Sequence, residues 1–483
     1  MRLSKIIENI DLQGVYCYDN IEVGNITIDS READGKSLYV AISGTVTDGH
    51  RFIKDAIDKG AVAVICERHI EGIKVPQLVV SDTRKALALA CGNFFGNPAA
   101  GMTTIAVVGT NGKTTTSYLI AGIAGACGVR CGLIGTMYYS DGEDTYPASL
   151  TTPDPWQLNK LMRDMYDKGC RAVVMEVSAH AIYLKKTAGI IFDIGVFTNI
   201  SQDHLDFFKD MDTYAGVKES FFTSRQCRYA VLNSDDELGV KLNNELEIDK
   251  VTYGLSNPAD IFAIEYNSLF NDYIVNDKDD IFEVKSNLYG KFNVSNTLAA
   301  IAVAGRLGIS RKAISRALMG LPAPDGRFNV YESCGVKYVI DFAHTPDGLR
   351  NLLISCKELG DRIIAVFGCG GDRDKGKRPL MGAIAAELSD KVIITSDNPR
   401  SERREDIIAQ IVQGVPDALG GKVAVIADRR EAIEYACNTA VEGDIVVIAG
   451  KGSENYIDEG GVKSPYSDYE QLLESLSKNE HIR

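Results

Sequence analysis

Residues 103–116 read TTIAVVGTNGKTTT, where an apolar stretch runs directly into a glycine-rich loop that ends in Lys113 and a run of threonines. The apolar run predicts a buried strand, and a helix is expected to begin at about Thr114. The usual phosphate-binding loop has four residues between its two glycines, but only two separate Gly109 from Gly112. The shorter loop can still direct backbone N–H groups and a helix N-terminus toward phosphate oxygens. It therefore predicts a site for ATP, although an ordinary glycine-rich turn is the alternative.

The residues of this loop have distinct expected roles. The Lys113 ammonium would reach the β- and γ-phosphates, and the Thr114 hydroxyl would bind Mg²⁺. The loop residues predicted to bind ATP are Gly109, Thr110, Asn111, Gly112, Lys113, Thr114 and Thr115.

Two further side chains are candidates for the magnesium site. Glu176 closes an apolar strand predicted over residues 172–176, where an ionised carboxylate is costly unless a cation or hydrogen bonds compensate it. His204 follows another predicted strand, 194–197. A lone histidine is more often structural than a ligand. However, the carboxyl ends of parallel strands meet at one edge of a sheet, so we expect His204 to lie on the same side as Lys113 and Glu176.

Length and composition indicate a soluble protein of several domains. The chain has 483 residues, enough for roughly three domains. Its net charge of -14 argues against nucleic-acid binding, because a phosphate backbone requires a basic surface. No signal-peptide core follows Met1, and the longest uncharged stretch, residues 114–129, suits a buried helix better than a membrane span. The 11 scattered cysteines are typical of reduced thiols. We therefore expect a cytoplasmic protein without a membrane or nucleic-acid partner.

Two stretches rich in glycine and proline suggest domain boundaries. GNPAAG (96–101) precedes the strand of the phosphate loop, and LPAPDG (321–326) precedes a new series of strands. We predict an α/β protein of three domains. They are a smaller N-terminal α/β domain (1–99), a central ATP-binding domain with a P-loop ATPase-like, mostly parallel sheet (100–326), and a C-terminal domain with a Rossmann-like sheet (327–483).

The C-terminal segment contains a second candidate binding cluster. Apolar runs at 338–340, 363–367, 392–394 and 445–448 are each followed by Gly, Asp or Asn, at the strand ends where open α/β sheets bind ligands. After the third run, DNPR (397–400) could hold a small zwitterion, although Asn-Pro is also common in surface turns. Together with the phosphate loop, this cluster predicts an enzyme that uses ATP to join an amine to another molecule.

Six motifs resemble those of the Mur ligases, and the resemblance extends over essentially the whole chain. They are GTNGKTT (109–115), EVSAH (176–180), FTNISQDHLD (197–206), DFAHTPD (341–347), FGCGGDRDKGKRP (367–379) and DNPR (397–400). The pattern is most similar to that of the members that add meso-2,6-diaminopimelate to UDP-N-acetylmuramoyl-L-alanyl-D-glutamate in peptidoglycan synthesis. The resemblance implies the three-domain plan above, ATP and Mg²⁺ as cofactors, small-molecule substrates and a monomer.

The resemblance also implies a mechanism. ATP phosphorylates the free γ-carboxylate of the D-glutamyl residue, and an amine of the incoming amino acid attacks the acyl phosphate to give an amide, ADP and phosphate. Lys218 resembles the family lysine that becomes carbamylated and could then hold a second Mg²⁺; without the resemblance, a solvated helical lysine is the ordinary interpretation. The implied catalytic residues are Lys113, Glu176, His204 and Lys218, and the implied metal ligands are Thr114, Glu176, His204 and Lys218.

Binding residues follow from the resemblance for all three substrates. For ATP it adds Asn293, Asn296, Arg327, Asp341 and His344, of which Asn293 and Asn296 could instead be a helix N-cap and a turn. For the nucleotide-sugar peptide it implies Ser30, Arg31, Thr45, Thr47, Thr151, Thr152, Ser178 and Lys186. For diaminopimelate it implies Arg373, Asp397, Asn398, Pro399, Arg400, Gly450 and Glu454. The Arg400 guanidinium would bind the distal carboxylate, which lysine lacks, and Glu454 would bind the distal ammonium.

Three positions depart from the family pattern. Ser453 stands where a histidine usually follows Gly450-Lys451-Gly452, and Leu184 and Lys186 stand where a glutamine and an arginine usually contact the nucleotide sugar. Lys186 keeps a positive charge but not the bidentate fork of arginine. Two alternatives stay open, and the departures motivate the first of them. One is a diverged paralogue that uses another acceptor or amino acid, and the other is a nucleotide-binding regulatory protein without catalysis.

Overall fold

The computed structural model describes residues 1–44, 47–224, 226–267, 269–278 and 280–480. They form two compact units. The first unit comprises Met1–Val108, Gly128–Gly195 and Ser220–Tyr229, and the second comprises Gly109–Cys127, Val196–Glu219 and Ala230–Arg483.

The N-terminal part of the first unit is a five-stranded sheet in the order β1-β5-β4-β3-β2. Strands β2 to β5 are parallel, and β1 is antiparallel to β5. Alternate residues of β3 face opposite sides: Leu38 and Val40 join the core that α1 and α3 cover, and Tyr39 joins the core that α2 covers. The elements are α1 (Leu3–Ile6), β1 (Leu12–Tyr16), β2 (Asn25–Thr27), β3 (Ser37–Val40), α2 (Ile53–Asp58), β4 (Ala63–Cys66), β5 (Gln77–Val80) and α3 (Thr83–Phe94).

The central part of the chain alternates strands and helices. In the first unit β10 pairs in parallel with β6 and β7, and β8 and β9 follow as an antiparallel extension. In the second unit β14 is parallel to β13, whereas β15 and β16 are added antiparallel. The elements are β6 (Thr103–Val108), α4 (Lys113–Ala126), β7 (Cys131–Ile134), β8 (Tyr138–Ser140), β9 (Thr145–Pro147), α5 (Pro155–Asp167), β10 (Ala172–Glu176), α6 (Ala179–Tyr183), β11 (Ile194–Phe197), α7 (Leu205–Phe208), α8 (Met211–Thr223), β12 (Tyr229–Asn233), α9 (Glu237–Glu245), β13 (Asp249–Gly254), β14 (Ile261–Tyr266), β15 (Asp272–Asp277), β16 (Asp280–Lys285), α10 (Lys291–Arg306) and α11 (Arg311–Gly320).

The C-terminal part of the second unit is a six-stranded sheet in the order β17-β18-β22-β19-β20-β21. All neighbours from β18 to β21 are parallel, and β17 is antiparallel to β18. Apolar side chains line both faces, as expected of strands covered by helices on both sides. The elements are β17 (Asn329–Ser333), β18 (Val336–Asp341), α12 (Pro346–Cys356), β19 (Arg362–Phe367), α13 (Lys377–Leu388), β20 (Lys391–Ile394), α14 (Arg404–Val412), β21 (Val423–Val425), α15 (Arg429–Thr439), β22 (Asp444–Ala449), β23 (Tyr456–Glu459), β24 (Val462–Pro465) and α16 (Asp468–Glu480).

The predicted α/β class and mostly parallel sheets are confirmed. The strand expected before the phosphate loop is β6, and the helix expected from about Thr114 begins at Lys113. The domain boundaries at residues 99 and 326 stay predictions. None of the helices within the described ranges combines the length and the apolar character that a membrane crossing requires.

Candidate active site

The phosphate loop connects β6 to α4, and its conformation depends on glycine. Gly112 has φ +82° and is the N-cap of α4. A Cβ at this position would lie 2.3 Å from Asn296 Oδ1, so a larger residue would be both strained and obstructed. The first turn of α4 has no acidic residue and no side-chain cap. Since the first N–H groups of a helix lack intrahelical acceptors, this end is suited to an anion.

Asn111 fixes the loop through both its backbone and its side chain. Its N–H donates to Asn199 Oδ1 (2.9 Å), and its carbonyl accepts from Thr198 Oγ1 (2.7 Å). Its Nδ2 donates to Ser201 Oγ and to Asp347 Oδ2, both at 3.1 Å. The loop that follows β11 and the N-terminus of α12 therefore hold the phosphate loop in place.

Two cationic side chains, Lys113 and Arg327, contact the phosphate loop and the start of α4. Lys113 Nζ donates to the carbonyls of Gly109 (3.0 Å) and Thr110 (2.8 Å), which keeps the ammonium beside its own loop. Arg327 Nη2 donates to Thr114 Oγ1 at 3.2 Å. The structure thus places two positive charges at the helix N-terminus that was predicted to bind phosphate. The remaining loop residue, Thr115, is a buried residue of α4 (5% exposed).

Lys218 is buried, so the interpretation as a solvated helical lysine is wrong. It lies in α8 and is 1% exposed, with Nζ 3.3 Å from Thr110 Oγ1 and 4.3 Å from the centroid of the Tyr214 ring. Burial, followed by repulsion from Lys113, lowers the pKa of Lys218 well below its ordinary value. A lysine with a lowered pKa is more often present as the neutral, nucleophilic amine.

His204 and His344 both lie beside the buried carboxylate of Asp203. His204 Nε2 is 3.3 Å and His344 Nε2 is 3.6 Å from Asp203 Oδ2, and Lys377 Nζ donates to Asp203 Oδ1 at 3.3 Å. Burial would raise the pKa of Asp203, but its interaction with His344 and the charge of Lys377 outweigh the effect of burial and hold that pKa well below its ordinary value. His204 itself has a left-handed backbone with φ +57° and is the N-cap of α7.

The other predicted ATP residues have defined places in the second unit. Asn293 and Asn296 are buried inside α10, whose N-cap is Gly290, so the alternative of an N-cap and a turn is wrong. Asn296 Nδ2 donates to Asn293 Oδ1 at 3.0 Å. Asp341 ends β18 and accepts from the N–H groups of Phe328 (2.8 Å) and Ala343 (2.7 Å). Burial raises the pKa of Asp341 above its ordinary value.

In the first unit, a polar cluster surrounds the end of β10. Glu176 is 1% exposed, and its two carboxylate oxygens accept from Thr136 N (2.8 Å) and Thr136 Oγ1 (3.0 Å). Thr136 Oγ1 also lies 3.0 Å from Thr151 Oγ1. Thr152 Oγ1 donates to the Glu176 carbonyl (2.8 Å) and accepts from Ser178 N (3.1 Å). The structure therefore brings together four of the predicted residues, along with Thr136, which sequence reasoning missed.

Lys186 lies at the same cluster. Its Nζ is 2.8 Å from Asp154 Oδ1 and donates to the Thr152 carbonyl at 3.3 Å. Leu184, the second departure from the family pattern, is the C-cap of α6. Lys186, which stands where the family usually has an arginine, therefore keeps a positive charge beside the residues predicted to bind the nucleotide sugar.

The predicted N-terminal residues of the nucleotide-sugar site make local contacts. Ser30 and Arg31 form a short 3-10 helix, and the exposed Arg31 guanidinium pairs with Asp29 at 2.7 Å. The Thr47 carbonyl accepts from Gly44 N at 3.0 Å. Thr45 lies outside the described residues.

The predicted amino-acid residues gather at the carboxyl ends of β19, β20 and β22. Arg400 Nη1 donates to the Gly371 carbonyl at 2.7 Å, and Gly371 N donates to the Asn398 carbonyl at 2.9 Å. A Cβ on Gly371 would lie 1.9 Å from the Pro399 carbonyl oxygen, so the two loops approach more closely than any larger residue permits. Arg373 extends from the first of these loops and is exposed.

The side-chain amide of Asn398 makes three hydrogen bonds to the protein. Its Oδ1 accepts from Lys451 Nζ (3.0 Å) and from Asp458 N (2.9 Å), and its Nδ2 donates to Glu454 Oε2 (2.8 Å). Asp397 precedes it, and Gly450 packs against Asp397, since a Cβ on Gly450 would lie 2.8 Å from Asp397 Oδ2. Asn398 therefore organises the predicted site from within.

The hairpin formed by β23 and β24 supports Arg400. Arg400 has φ +50°, donates its N–H to the Asp458 carbonyl (2.9 Å) and accepts at its carbonyl from Gly460 N (2.7 Å). The fully buried guanidinium of Arg429 lies next to the residue that precedes Gly450. It pairs with Asp468 at 2.7 Å and donates to the Ala449 carbonyl at 2.9 Å. These supports were not predicted, because they join positions that are distant in the sequence.

Two of the donors predicted for Mg²⁺ fit that ion in their chemistry. The Thr114 hydroxyl and the Glu176 carboxylate supply hard oxygen atoms, which Mg²⁺ prefers, whereas His204 supplies nitrogen. Throughout the described part of the chain, no group of three or more His, Cys, Asp or Glu residues is arranged to hold a metal. Mg²⁺ usually binds one or two protein ligands and substrate phosphates rather than a complete protein cage.

Three family models match the chain in succession. The model described as "Mur ligase family, catalytic domain" matches residues 22–95, "Mur ligase middle domain" matches 107–304, and "Mur ligase, glutamate ligase domain" matches 326–452.

Curated relatives and solved structures agree with these matches. A UDP-N-acetylmuramoyl-L-alanyl-D-glutamate–2,6-diaminopimelate ligase of Aquifex aeolicus is 41% identical over 455 residues, which cover 94% of each chain. The ligase of the same name in Parabacteroides distasonis is 39% identical and covers 99% of each chain. A solved structure of a ligase with this name is 31% identical with a TM-score of 0.69, and the match covers 100% of this chain and 99% of that one. The MurF ligase of Thermotoga maritima, solved with ADP, shares the fold at 20% identity and a TM-score of 0.63. The chain therefore belongs to the Mur ligase family.

Proposed function

We propose that this Mur ligase is an ATP-dependent amide ligase that adds meso-2,6-diaminopimelate to UDP-N-acetylmuramoyl-L-alanyl-D-glutamate. The observation that carries this proposal is that the second unit holds two candidate binding sites. One is the phosphate loop with buried Lys218 beside it, and the other is a cluster of polar side chains at the C-terminal six-stranded sheet. That cluster contains Arg373, Asn398, Arg400 and Glu454. The relatives that bear this name align over nearly the full chain, which supports the same choice of substrates.

We assign one main substrate to each predicted domain, with part of the nucleotide-sugar site in the central domain. Residues 1–99 would bind the nucleotide sugar together with the cluster around Glu176, residues 100–326 would bind ATP, and residues 327–483 would bind the amino acid. The Arg400 guanidinium would take the distal carboxylate of diaminopimelate in a bidentate pair, and Glu454 would take its distal ammonium.

The reaction would proceed by phosphoryl transfer and aminolysis. A γ-carboxylate oxygen of the acceptor attacks the γ-phosphorus of ATP, the bond to the β–γ bridging oxygen breaks, and ADP leaves. The neutral amine of diaminopimelate then attacks the acyl phosphate carbon, loses a proton and expels phosphate as the amide forms. Lys113 and Arg327 would stabilise the negative charge on the transferred group, because catalysis of phosphoryl transfer rests mainly on positioning and electrostatics.

Thr114, Glu176 and His204 each remain proposed ligands of Mg²⁺, and Lys218 would become a further ligand after carbamylation. The metal would supply charge neutralisation at the phosphates. The burial and lowered pKa of Lys218 support its carbamylation, since the reaction with CO₂ requires the neutral amine.

The test is an omission series that measures ADP release by the purified protein. With ATP, Mg²⁺, the muramoyl dipeptide and meso-diaminopimelate present, we expect ADP to be released together with a tripeptide product of the expected mass. Omission of either the acceptor or the amino acid should abolish product formation. Turnover with a different acceptor but none with the muramoyl dipeptide would contradict the proposal. That result would favour a paralogue in which Leu184, Lys186 and Ser453 have changed the acceptor.

A further inference from the structure

One lysine at the amino-acid cluster has no role in the reaction described so far. Lys451 is fully buried, and its Nζ donates to Asn398 Oδ1 (3.0 Å) and to Glu454 Oε2 (3.1 Å). Asp397 Oδ1 lies 3.9 Å from the same nitrogen. A buried ammonium is costly unless it is paired, and here one cation stands between two carboxylates.

The charges at this cluster bear on the choice of amino acid. Lys451 is paired with Glu454, the carboxylate proposed to take the distal ammonium, so Lys451 limits the negative potential that the ammonium meets. Meso-diaminopimelate carries two carboxylates and two ammonium groups and is neutral overall, whereas L-lysine lacks one carboxylate and carries a net positive charge. A more negative site would therefore favour L-lysine, and a more positive one would favour diaminopimelate.

We propose that Lys451 is a further specificity-determining residue that sets the charge balance of the amino-acid site against L-lysine. It acts in two ways. It orients the Glu454 carboxylate and the Asn398 amide, and its charge offsets those of Asp397 and Glu454. This inference rests on the proposed function.

The test compares kcat/KM for meso-diaminopimelate with kcat/KM for L-lysine in two variants. One removes a positive charge from the site, and the other removes a negative charge. Lys451→Met replaces the ammonium side chain with an uncharged one of similar length. We expect the ratio of kcat/KM for diaminopimelate to kcat/KM for L-lysine to fall about tenfold. Glu454→Gln removes a negative charge, and the same ratio should rise by about fivefold or more. Lys451→Arg keeps the charge and should keep the ratio within about twofold even if both rates fall.

Two controls separate this role from a structural one. Lys478→Met removes an exposed lysine of α16 (47% exposed) and should leave the ratio unchanged. The KM for ATP should change by less than about threefold in every variant. If Lys451→Met and Glu454→Gln each lowered kcat/KM for the two amino acids by the same factor, Lys451 would be only a structural residue and the inference would be overturned.

The outcomes also separate this inference from the proposed function. If the unsubstituted protein does not use meso-diaminopimelate, both fail. If it does but the ratio is unmoved, only the role of Lys451 fails. Should Lys451→Met not fold, Glu454→Gln decides alone, because Glu454 is partly exposed (24%) and an unchanged or lowered ratio in that variant contradicts the charge argument.

Discussion

The buried ion pair between Arg429 and Asp468 should stabilise the sheet that carries the proposed amino-acid site. Both side chains are 0% exposed, and the pair is bidentate, with Nε and Nη2 of Arg429 each donating to a carboxylate oxygen at 2.7 Å. Arg429 Nη2 also donates to the carbonyl of Ala449, the last residue of β22. The pair thus joins the start of α16 to the strand end that leads into Gly450.

Asp468→Asn keeps the shape and one acceptor oxygen but removes the negative charge that is paired with the guanidinium. Breaking a buried pair costs roughly 3–5 kcal/mol. Because one hydrogen bond survives, we expect the lower end, about 3 kcal/mol. At 1.36 kcal/mol per tenfold, this corresponds to amide exchange about 100-fold faster in β22, where exchange requires opening of the sheet.

Hydrogen exchange measured on peptides that cover β22 would test this prediction. Glu434→Gln is the matched control, because Glu434 and Lys478 form an ion pair between the same two helices at 3.3 Å but are 42% and 47% exposed. An exposed pair contributes only about 0–1 kcal/mol, so its loss should change exchange by less than about fivefold. Equal effects of the two substitutions would refute the reasoning from burial.

Three further predictions follow from the same structure. Arg400→Ala should lower kcat/KM for meso-diaminopimelate by about 100-fold or more, with little change in the KM for ATP, because a desolvated carboxylate loses its partner; unchanged kinetics would contradict the assignment. Gly112→Ala should raise the KM for ATP at least about tenfold, since φ is +82° and the new Cβ would overlap a neighbouring amide, whereas Gly125→Ala in the same helix meets nothing within 4 Å and should be neutral. Glu402 has its pKa lowered from 4.5 to about 2, chiefly by Arg378, so its contribution to stability is complete above pH 4.5 and is lost as the pH falls toward 2. Glu402→Gln should therefore be less stable than the unsubstituted protein at pH 7, and circular dichroism should show the difference shrinking over that acid range; a constant difference would exclude this cause.

The sheets and the phosphate loop could be predicted because their signals are local. The apolar run before Gly109 and the glycines around Lys113 lie within a few residues of one another, and the structure places β6 and α4 there. The burial of Lys218 also has a local signal, which is its helical spacing from two aromatic residues. Tyr214, Lys218 and Phe222 are spaced four residues apart in α8, which places them on one face, and each is 1% exposed.

The supports of the amino-acid cluster had no such signal. Lys451 meets Asn398 across 53 positions of sequence, and Arg429 meets Asp468 across 39. Nothing in the composition or spacing around Lys451 predicts these contacts. Only the folded sheet brings the ends of β20 and β22 together. Predicting these contacts requires the strand order β22-β19-β20, which a single sequence does not specify.

A competition between amino acids would test the central claim most directly. The purified protein would be supplied with ATP, Mg²⁺ and UDP-N-acetylmuramoyl-L-alanyl-D-glutamate, together with equal concentrations of meso-diaminopimelate and L-lysine, and the intact mass of the product would be measured. We predict the diaminopimelate tripeptide as the dominant product. A lysine adduct as the dominant product, or no product from this acceptor, would contradict the account.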